Sequence, residues 1–224
     1  MKKKISIIVP CLNEEKNIKK LYLAIRKKFK NKSYEIIYVD DDSIDESQKE
    51  IKILAKKYNN VRYIFRKNDR DLSRSFYSGL KISKSKYIIL MDCDLQHDPQ
   101  VLNKLLETII LNKYECVSGS RFMIDSVNNT KKFKYKFRLI LSKILNGFIN
   151  FTLNIKLTDP LTGIFIVDRK AFIKKSNKLY LNGYKIFLDF YVTHKKKQLH
   201  MEIPIKLNER IYGKSKLNII TLIT

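Results

Sequence analysis

Short apolar runs alternate with amphipathic stretches through the first half of the chain. Ile5-Ser-Ile-Ile-Val9 predicts a buried strand, and Ile18, Leu21, Tyr22, Ile25 and Phe29 follow at helical spacing. Tyr34 to Val39 predicts a second strand, which runs into Asp40-Asp41-Asp42-Ser43. Ser43-Ile-Asp-Glu46 has the form of a capping box, opening a helix that carries Ile51, Leu54 and Tyr58. Val61 to Phe65 predicts a third strand, and about Leu72 to Ile82 a short helix. Tyr87 to Met91 predicts a fourth strand. Asp98-Pro99 then reads as an N-cap and first-turn proline for a helix reaching about Asn112. Glu115 to Ser118 predicts a fifth strand. Near-continuous apolar strands alternating with helices predict an α/β fold, a mostly parallel sheet covered on both faces. Such sheets bind ligands beyond the C-terminal ends of their strands.

The second half changes character. Lys131-Lys-Phe-Lys-Tyr-Lys-Phe-Arg138 interleaves basic and aromatic residues. It leads into Phe137, Ile140, Leu141, Ile144, Leu145, Phe148 and Ile149, with Lys136, Arg138, Ser142, Lys143 and Asn146 opposite. This predicts a basic amphipathic helix of the membrane-surface kind. The alternative is a helix packed on the sheet with a solvated polar face. Asp159-Pro160-Leu-Thr-Gly163 is a turn entering a strand, and Gly183-Tyr184-Lys185 opens another helix. His200 to Leu207 contains Pro204, which favours a sheet edge. Asn208 to Leu217 is a polar, basic loop. A length of 224 residues with no repeat or linker predicts one domain.

Charge narrows the partners. The formal net charge of +24 favours anionic ligands or surfaces. Only nine of the 46 basic residues are arginine, a skew expected of an AT-rich coding sequence, so part of this charge need not be functional. Cys11, Cys93 and Cys116 form no Cys-x-x-Cys pair, which indicates neither a disulfide framework nor a zinc site. Lys2-Lys3-Lys4 and Ile5 to Val9 do not make a signal peptide, because Asn13-Glu14-Glu15 follows at once. No stretch reaches the roughly 18 apolar residues of a membrane span. A soluble or peripheral protein is expected. The absence of Gly-x-Gly-x-x-Gly after the first strand argues against dinucleotide-binding dehydrogenases and P-loop enzymes.

The candidate chemistry centres on Met91-Asp92-Cys93-Asp94-Leu95-Gln96. Strand parity points Asp92 and Asp94 the same way, roughly 7 Å apart at Cα, and turns Cys93 into the packing. Gln96 shares their parity if the chain stays extended. Two carboxylates at a strand end suit a hard divalent cation completed by substrate phosphate. An isolated Asp-x-Asp also reads as two solvated turn residues.

Further stretches lift this ambiguity. Val9-Pro10-Cys-Leu-Asn13-Glu14, Val39-Asp40-Asp41-Asp42-Ser43, Asp92-Cys-Asp94-Leu-Gln96, Gly119-Ser120-Arg121, Asp159-Pro160-Leu-Thr-Gly163 and Arg210 to Leu217 occur in order. Together they resemble family 2 glycosyltransferases, specifically the dolichol-phosphate (polyprenyl-phosphate) mannosyltransferase branch, from Ile5 to about Leu217. The resemblance implies a GT-A-type, Rossmann-like fold, with donor and metal binding in 1–120 and acceptor binding in 121–224. It implies Pro10, Leu12, Glu14, Val39, Asp41, Asp92, Cys93, Arg210 and Lys216 for the nucleotide sugar. It implies Asp92, Asp94 and Gln96 for Mg²⁺ or Mn²⁺, and Arg121, Arg138 and Ser142 for the acceptor phosphate. Asp94 and Arg121 are the implied catalytic residues. Leu12 departs from the family, where many relatives have tyrosine. The chain also stops at Thr224, where some relatives continue into membrane-spanning helices. Membrane contact is therefore expected from the amphipathic surface or a separate anchoring subunit.

The implied reaction moves a sugar, mannose from GDP-mannose in this branch, onto a polyprenyl phosphate at the cytosolic membrane face, with inversion. A related transferase using a UDP-sugar, onto polyprenyl phosphate or a growing glycan, is the nearest alternative. The net charge raises RNA binding as a second. No RNA-recognition signature accompanies it, so no nucleic-acid partner is expected.

Overall fold

The computed structural model describes residues 4–29, 32–68, 70–123, 133–194, 199–208, 210 and 212, with backbone alone at 133–136, 138 and 194. Seven strands form one sheet: β1 (Ile5–Cys11), β2 (Tyr34–Asp41), β3 (Val61–Arg66), β4 (Tyr87–Leu90), β5 (Cys116–Ser120), β6 (Phe165–Asp168) and β7 (His200–Pro204). Their order is β3-β2-β1-β4-β6-β5-β7. β6 runs antiparallel to both neighbours; the other pairings among the described strands are parallel. β7 takes the edge that Pro204 favours. β4 pairs with β6, so the expected donor and acceptor parts share one sheet.

Strand parity divides the core into two layers. Ile7, Val9, Ile36, Tyr38 and Ile89 face α1 (Glu15–Lys28), α2 (Ser47–Lys57) and α4 (Val101–Leu111). Ile8, Ile37, Val39, Ile88 and Leu90 face the other way, with α3 (Leu72–Ile82), α6 (Arg169–Lys175) and α7 (Ile186–His194). Each buried aliphatic side chain contributes about 1.5–3 kcal/mol relative to exposure, and burial on both faces explains the unbroken apolar runs. α3 lies hard against β1: a Cβ on Gly79 would meet Ile8 Cγ2 at 2.7 Å.

Two helix starts differ from expectation. The capping box at Ser43–Glu46 does not form; α2 begins at Ser47, and its N-cap Glu46 makes no side-chain cap bond. The fully buried Asp40 takes Ser43 instead, accepting from both its N–H and its hydroxyl, and also from Gln48 Nε2 at 2.7 Å. α4 begins at Val101 after a turn through Pro99 and Gln100. Asp98 still caps this turn, accepting from Gln100 N at 2.9 Å.

The helix α5 (Phe133–Leu153) presents an apolar ridge to the outside. Asn146 and Asn150 face inward, and their amides donate to the carbonyls of Thr158 (3.0 Å) and Leu157 (2.7 Å). Phe137, Leu141, Ile144, Phe148 and Phe151 form an exposed ridge, with Phe151 86% exposed. The expected stripe is present, and much of it points away from the core. Leu139 is buried and Ile149 and Leu153 pack against the core, so the helix is packed, but its exposed face is largely apolar rather than polar.

Candidate active site

The first two strand ends are stitched together. Asn13 adopts a left-handed conformation (φ 53°), which Asn tolerates, and ends β1 in a tight turn. Its N–H donates to Ser43 Oγ at 2.8 Å, and its Oδ1 accepts from Ile44 N at 2.9 Å. Glu14 N donates to Ser47 Oγ at 2.8 Å, and the largely buried Glu14 carboxylate accepts from Asn17 Nδ2 at 2.6 Å. Pro10 and Leu12 remain partly exposed on the same turn. Val39 does not offer its side chain; it lies in the core, leaving only backbone for a donor. Cys93 likewise sends its thiol into the core, where it raises the Cys11 thiol further above the usual range already exceeded through burial.

Asp41 is a hub. Its carboxylate accepts from Arg66 Nη1 (2.6 Å), Ser75 Oγ and Asp71 N (2.9 Å). Burial nevertheless holds its pKa above the ordinary value. Asp71 caps α3 through Arg74 N at 3.0 Å and accepts from Gly183 N with its other oxygen. Ser73 returns two bonds to the Gly183 carbonyl, from N (3.1 Å) and Oγ (2.7 Å). The Gly183 turn, at φ 74°, is thus pinned to the start of α3. The Tyr184 phenol is pushed up by burial, then by the carboxylates of Asp71, Asp41 and Asp92. Tyr184 thus feels the negative charge of all three carboxylates. Neither Asp71 nor Tyr184 was expected as a site residue. The N-cap position before Leu72 was a readable signal for Asp71, but its partner lies over a hundred residues away.

Asp92 and Asp94 leave the strand by a different path from the one expected. β4 ends at Leu90, and Leu95 turns the chain at φ 62°. Gln96 therefore returns through a turn, with its N–H donating to Asp94 Oδ1 at 3.0 Å, rather than by strand parity. Arg210 Nη2 reaches Asp94 Oδ2 at 2.6 Å and Gln96 Oε1 at 3.2 Å. Asp92 keeps 34% of its side chain exposed. No hydrogen-bond donor reaches it among the described residues; His97 Nε2 stands 3.8 Å away. His97 is held neutral, its pKa brought down to about 4 chiefly by burial. The turn at Gly163 passes so close that a Cβ there would meet Asp92 Oδ2 at 2.5 Å, so any larger residue would have to turn the Asp92 carboxylate aside.

Burial first, and then Asp94, push Asp92 up to about 7, against the opposing charges of Arg210 and Arg121. A divalent cation relieves this repulsion, and carboxylate and amide oxygens are its ordinary ligands, so the residues present fit such an ion. Among the described residues no three His, Cys, Asp or Glu side chains cluster tightly enough to hold one alone. Substrate phosphate would have to complete the shell. In metal-free protein the ionised form of Asp92 is the disfavoured one. Its cost is absent below about pH 4, where the carboxyl is protonated in both states, and grows as pH rises to about 7. Melting curves in EDTA between pH 5 and pH 8 should show Asp92→Asn losing less stability than the wild type. Equal slopes would assign the pH dependence elsewhere.

Arg121, at the end of β5, forks onto Asp159 with Nε and Nη2 at 2.6 Å each. Asp159 is fully buried, while Arg121 is 24% exposed. Glu202 on β7 holds this turn by accepting from the N–H groups of Thr158 and Asp159. The charge of Arg121 lowers the Asp92 carboxyl and that of Glu14 raises it. Ser142 lies half-buried on α5. The Arg138 side chain and Lys216 lie outside the described residues.

Known proteins resemble this chain. Residues 6–175 match the model of the family described as Glycosyl transferase family 2. The chain is 31% identical over 216 residues to a dolichol-phosphate mannosyltransferase of Pyrococcus furiosus, covering 96% of this chain and 59% of that protein. It is 31% identical over 223 residues to a dolichol-phosphate mannosyltransferase of Saccharomyces cerevisiae, covering 95% of this chain and 80% of the yeast protein. It thus spans less than two thirds of the first relative's length. Among solved structures, a glucosyl-3-phosphoglycerate synthase from Mycobacterium tuberculosis aligns with a TM-score of 0.67 at 14% identity, over 95% of this chain and 73% of that one. The same enzyme in complex with Mn²⁺, uridine-diphosphate-glucose and phosphoglyceric acid aligns at 0.65 and 15% identity, over 93% of this chain and 72% of that one. At such identity the likeness speaks for the GT-A-type fold alone. With the family model matched over more than half its length, the chain belongs to glycosyl transferase family 2.

Proposed function

We propose that the chain transfers a sugar from a nucleoside-diphosphate sugar to a polyprenyl phosphate at the cytosolic face of a membrane. The names of the Pyrococcus and yeast relatives favour mannose, with GDP-mannose as donor. A UDP-sugar is the alternative. The supporting observation is how the carboxylates are engaged. Asp159 is fully committed to Arg121, and Asp41 to Arg66, Ser75 and Asp71. Neither stands ready as a general base, and Asp92, which no donor among the described residues reaches, would be taken up by the cation; a hydroxyl acceptor requires such a base. A phosphate acceptor needs none, since its second pKa is about 6.

Asp92, Asp94 and Gln96 would hold Mg²⁺ or Mn²⁺. Bound there, the ion would neutralise charge building on the departing diphosphate. The turns at Pro10–Glu14 and Asp41 would hold the nucleotide, with Arg210 and Lys216 on its phosphates. Arg121, Arg138 and Ser142 would position the acceptor phosphate so that one of its oxygens attacks the anomeric carbon opposite the leaving group. The new C–O bond forms as the bond to the diphosphate breaks, inverting configuration.

The assay is transfer of radiolabel from GDP-mannose, UDP-glucose and related donors into organic-extractable polyprenyl phosphate. Lipid-linked label is expected. Preferential transfer to a sugar hydroxyl, or none from any donor, refutes the reading.

The exposed α5 ridge supports membrane contact, since monomeric soluble proteins rarely expose contiguous apolar surface on this scale. No helix among the described residues is long and apolar enough to cross a bilayer. A separate anchoring subunit remains part of this proposal. Phe148→Ser with Phe151→Ser should cut co-sedimentation with anionic vesicles severalfold and leave the melting temperature unchanged, because both side chains are already exposed. Undiminished vesicle binding would move the contact elsewhere.

A further inference from the structure

One atom of the protein engages both ligands proposed for the cation beside Asp92. Arg210 Nη2 donates to Asp94 Oδ2 and Gln96 Oε1, at 2.6 and 3.2 Å. A positive centre shared by two oxygen ligands is what a metal ion would be. Arg210 is carried by the segment after β7, which is fastened across the site. Asn208 N donates to the Gln96 carbonyl at 2.8 Å, and Gln96 Nε2 to the Asn208 carbonyl at 3.3 Å. His97 forms a bridge with Leu207. Farther on, Lys20 Nζ donates to Tyr212 Oη at 2.7 Å and lies 3.9 Å from its ring centroid.

We propose that Arg210 is an internal stand-in for the divalent cation, making cation binding conditional on the donor. The inference rests on the metal and donor reading above. A guanidinium and a divalent cation repel each other in this partly buried setting, so the ion must displace Arg210 from Asp94. Without donor, displacement breaks a charge-assisted hydrogen bond to a buried carboxylate and leaves the guanidinium without that counter-charge. A donor diphosphate offers the displaced fork a matching bidentate partner while adding oxygen ligands for the ion. Cation and nucleoside diphosphate then bind with positive coupling, which must be reciprocal. A free cation alone gains little, so the carboxylate pair is loaded chiefly with donor present.

The test is Mn²⁺ uptake by the full chain, followed by electron paramagnetic resonance of the free ion, alone and with GDP or UDP. Wild type should take up Mn²⁺ weakly alone and more strongly with nucleotide. Arg210→Gln should bind Mn²⁺ alone about ten- to a hundredfold more tightly, the worth of the bond it removes, and lose most of the enhancement by nucleotide. Arg210→Lys, keeping charge without the fork, should fall between. Unchanged or weaker binding of Mn²⁺ alone by folded Arg210→Gln and Arg210→Ala overturns the proposal. Asp94→Asn separates the two ideas. If it leaves Mn²⁺ uptake as in wild type, both with and without nucleotide, the metal assignment fails, whatever Arg210 does.

Discussion

Asp94→Asn should lower turnover by about a thousandfold or more while the protein still folds. Asp94 is buried and accepts from both Gln96 N and Arg210 Nη2. Asparagine can still accept from Gln96 N with its single carbonyl oxygen. Its amide nitrogen, however, faces Arg210 and offers a cation nothing. The loss is several kcal/mol of charge stabilisation on the leaving diphosphate. The structural loss is one partly exposed ion pair, worth a few degrees in melting temperature for a chain of this length. EDTA should abolish activity, and Mg²⁺ or Mn²⁺ should restore it. Turnover near wild type in D94N, or full activity in EDTA, refutes a metal site here.

The second large effect separates structure from catalysis at Arg121. Arg121→Ala leaves the fully buried Asp159 uncompensated and should cost about 3–5 kcal/mol of stability. Its activity loss would therefore be uninformative. Arg121→Lys keeps a cation near Asp159 but loses the two-pronged contact, and should lose at least about tenfold in rate with a smaller stability cost. The decisive variant is Arg121→Met combined with Asp159→Asn, which removes both charges at once. It should recover much of the melting temperature lost in Arg121→Ala and remain inactive. Recovery of activity with stability would make Arg121 a purely structural partner of Asp159.

The sheet could be read from sequence because burial on both faces leaves a local trace, as in Ile5–Val9 and Tyr34–Val39. The reversal of β6 could not, since Phe165-Ile-Val167 is equally apolar in either direction. Asp92 and Asp94 were readable because their chemistry sits within one turn of one strand. Arg210 on Asp94 and Asp71 on Gly183 were not, since each pairing spans more than a hundred residues. The stripe on α5 was readable as a set of residues sharing a face. Which way that face pointed was not. Asn146 and Asn150 decide it by donating to backbone carbonyls of the segment that follows the helix, and hydropathy alone does not weigh such bonds.

The reversed β6 also orders the molecule in time. β4 lies between β1 and β6, while β5, which follows β4 in sequence, pairs with β6 rather than β4. As the chain leaves the ribosome, β1 to β4 can assemble early. The open edge of β4 then waits some seventy-five residues for Phe165–Asp168 to emerge. An unpaired, fully apolar strand edge templates association with other chains. A nascent chain stalled near residue 160 should therefore be prone to aggregation and a preferred client for chaperones, although its first four strands are complete. The strand that closes the sheet also brings in the Asp159–Gly163 turn, so the sheet cannot be sealed before the segment that faces Asp92 and Arg121 has been made.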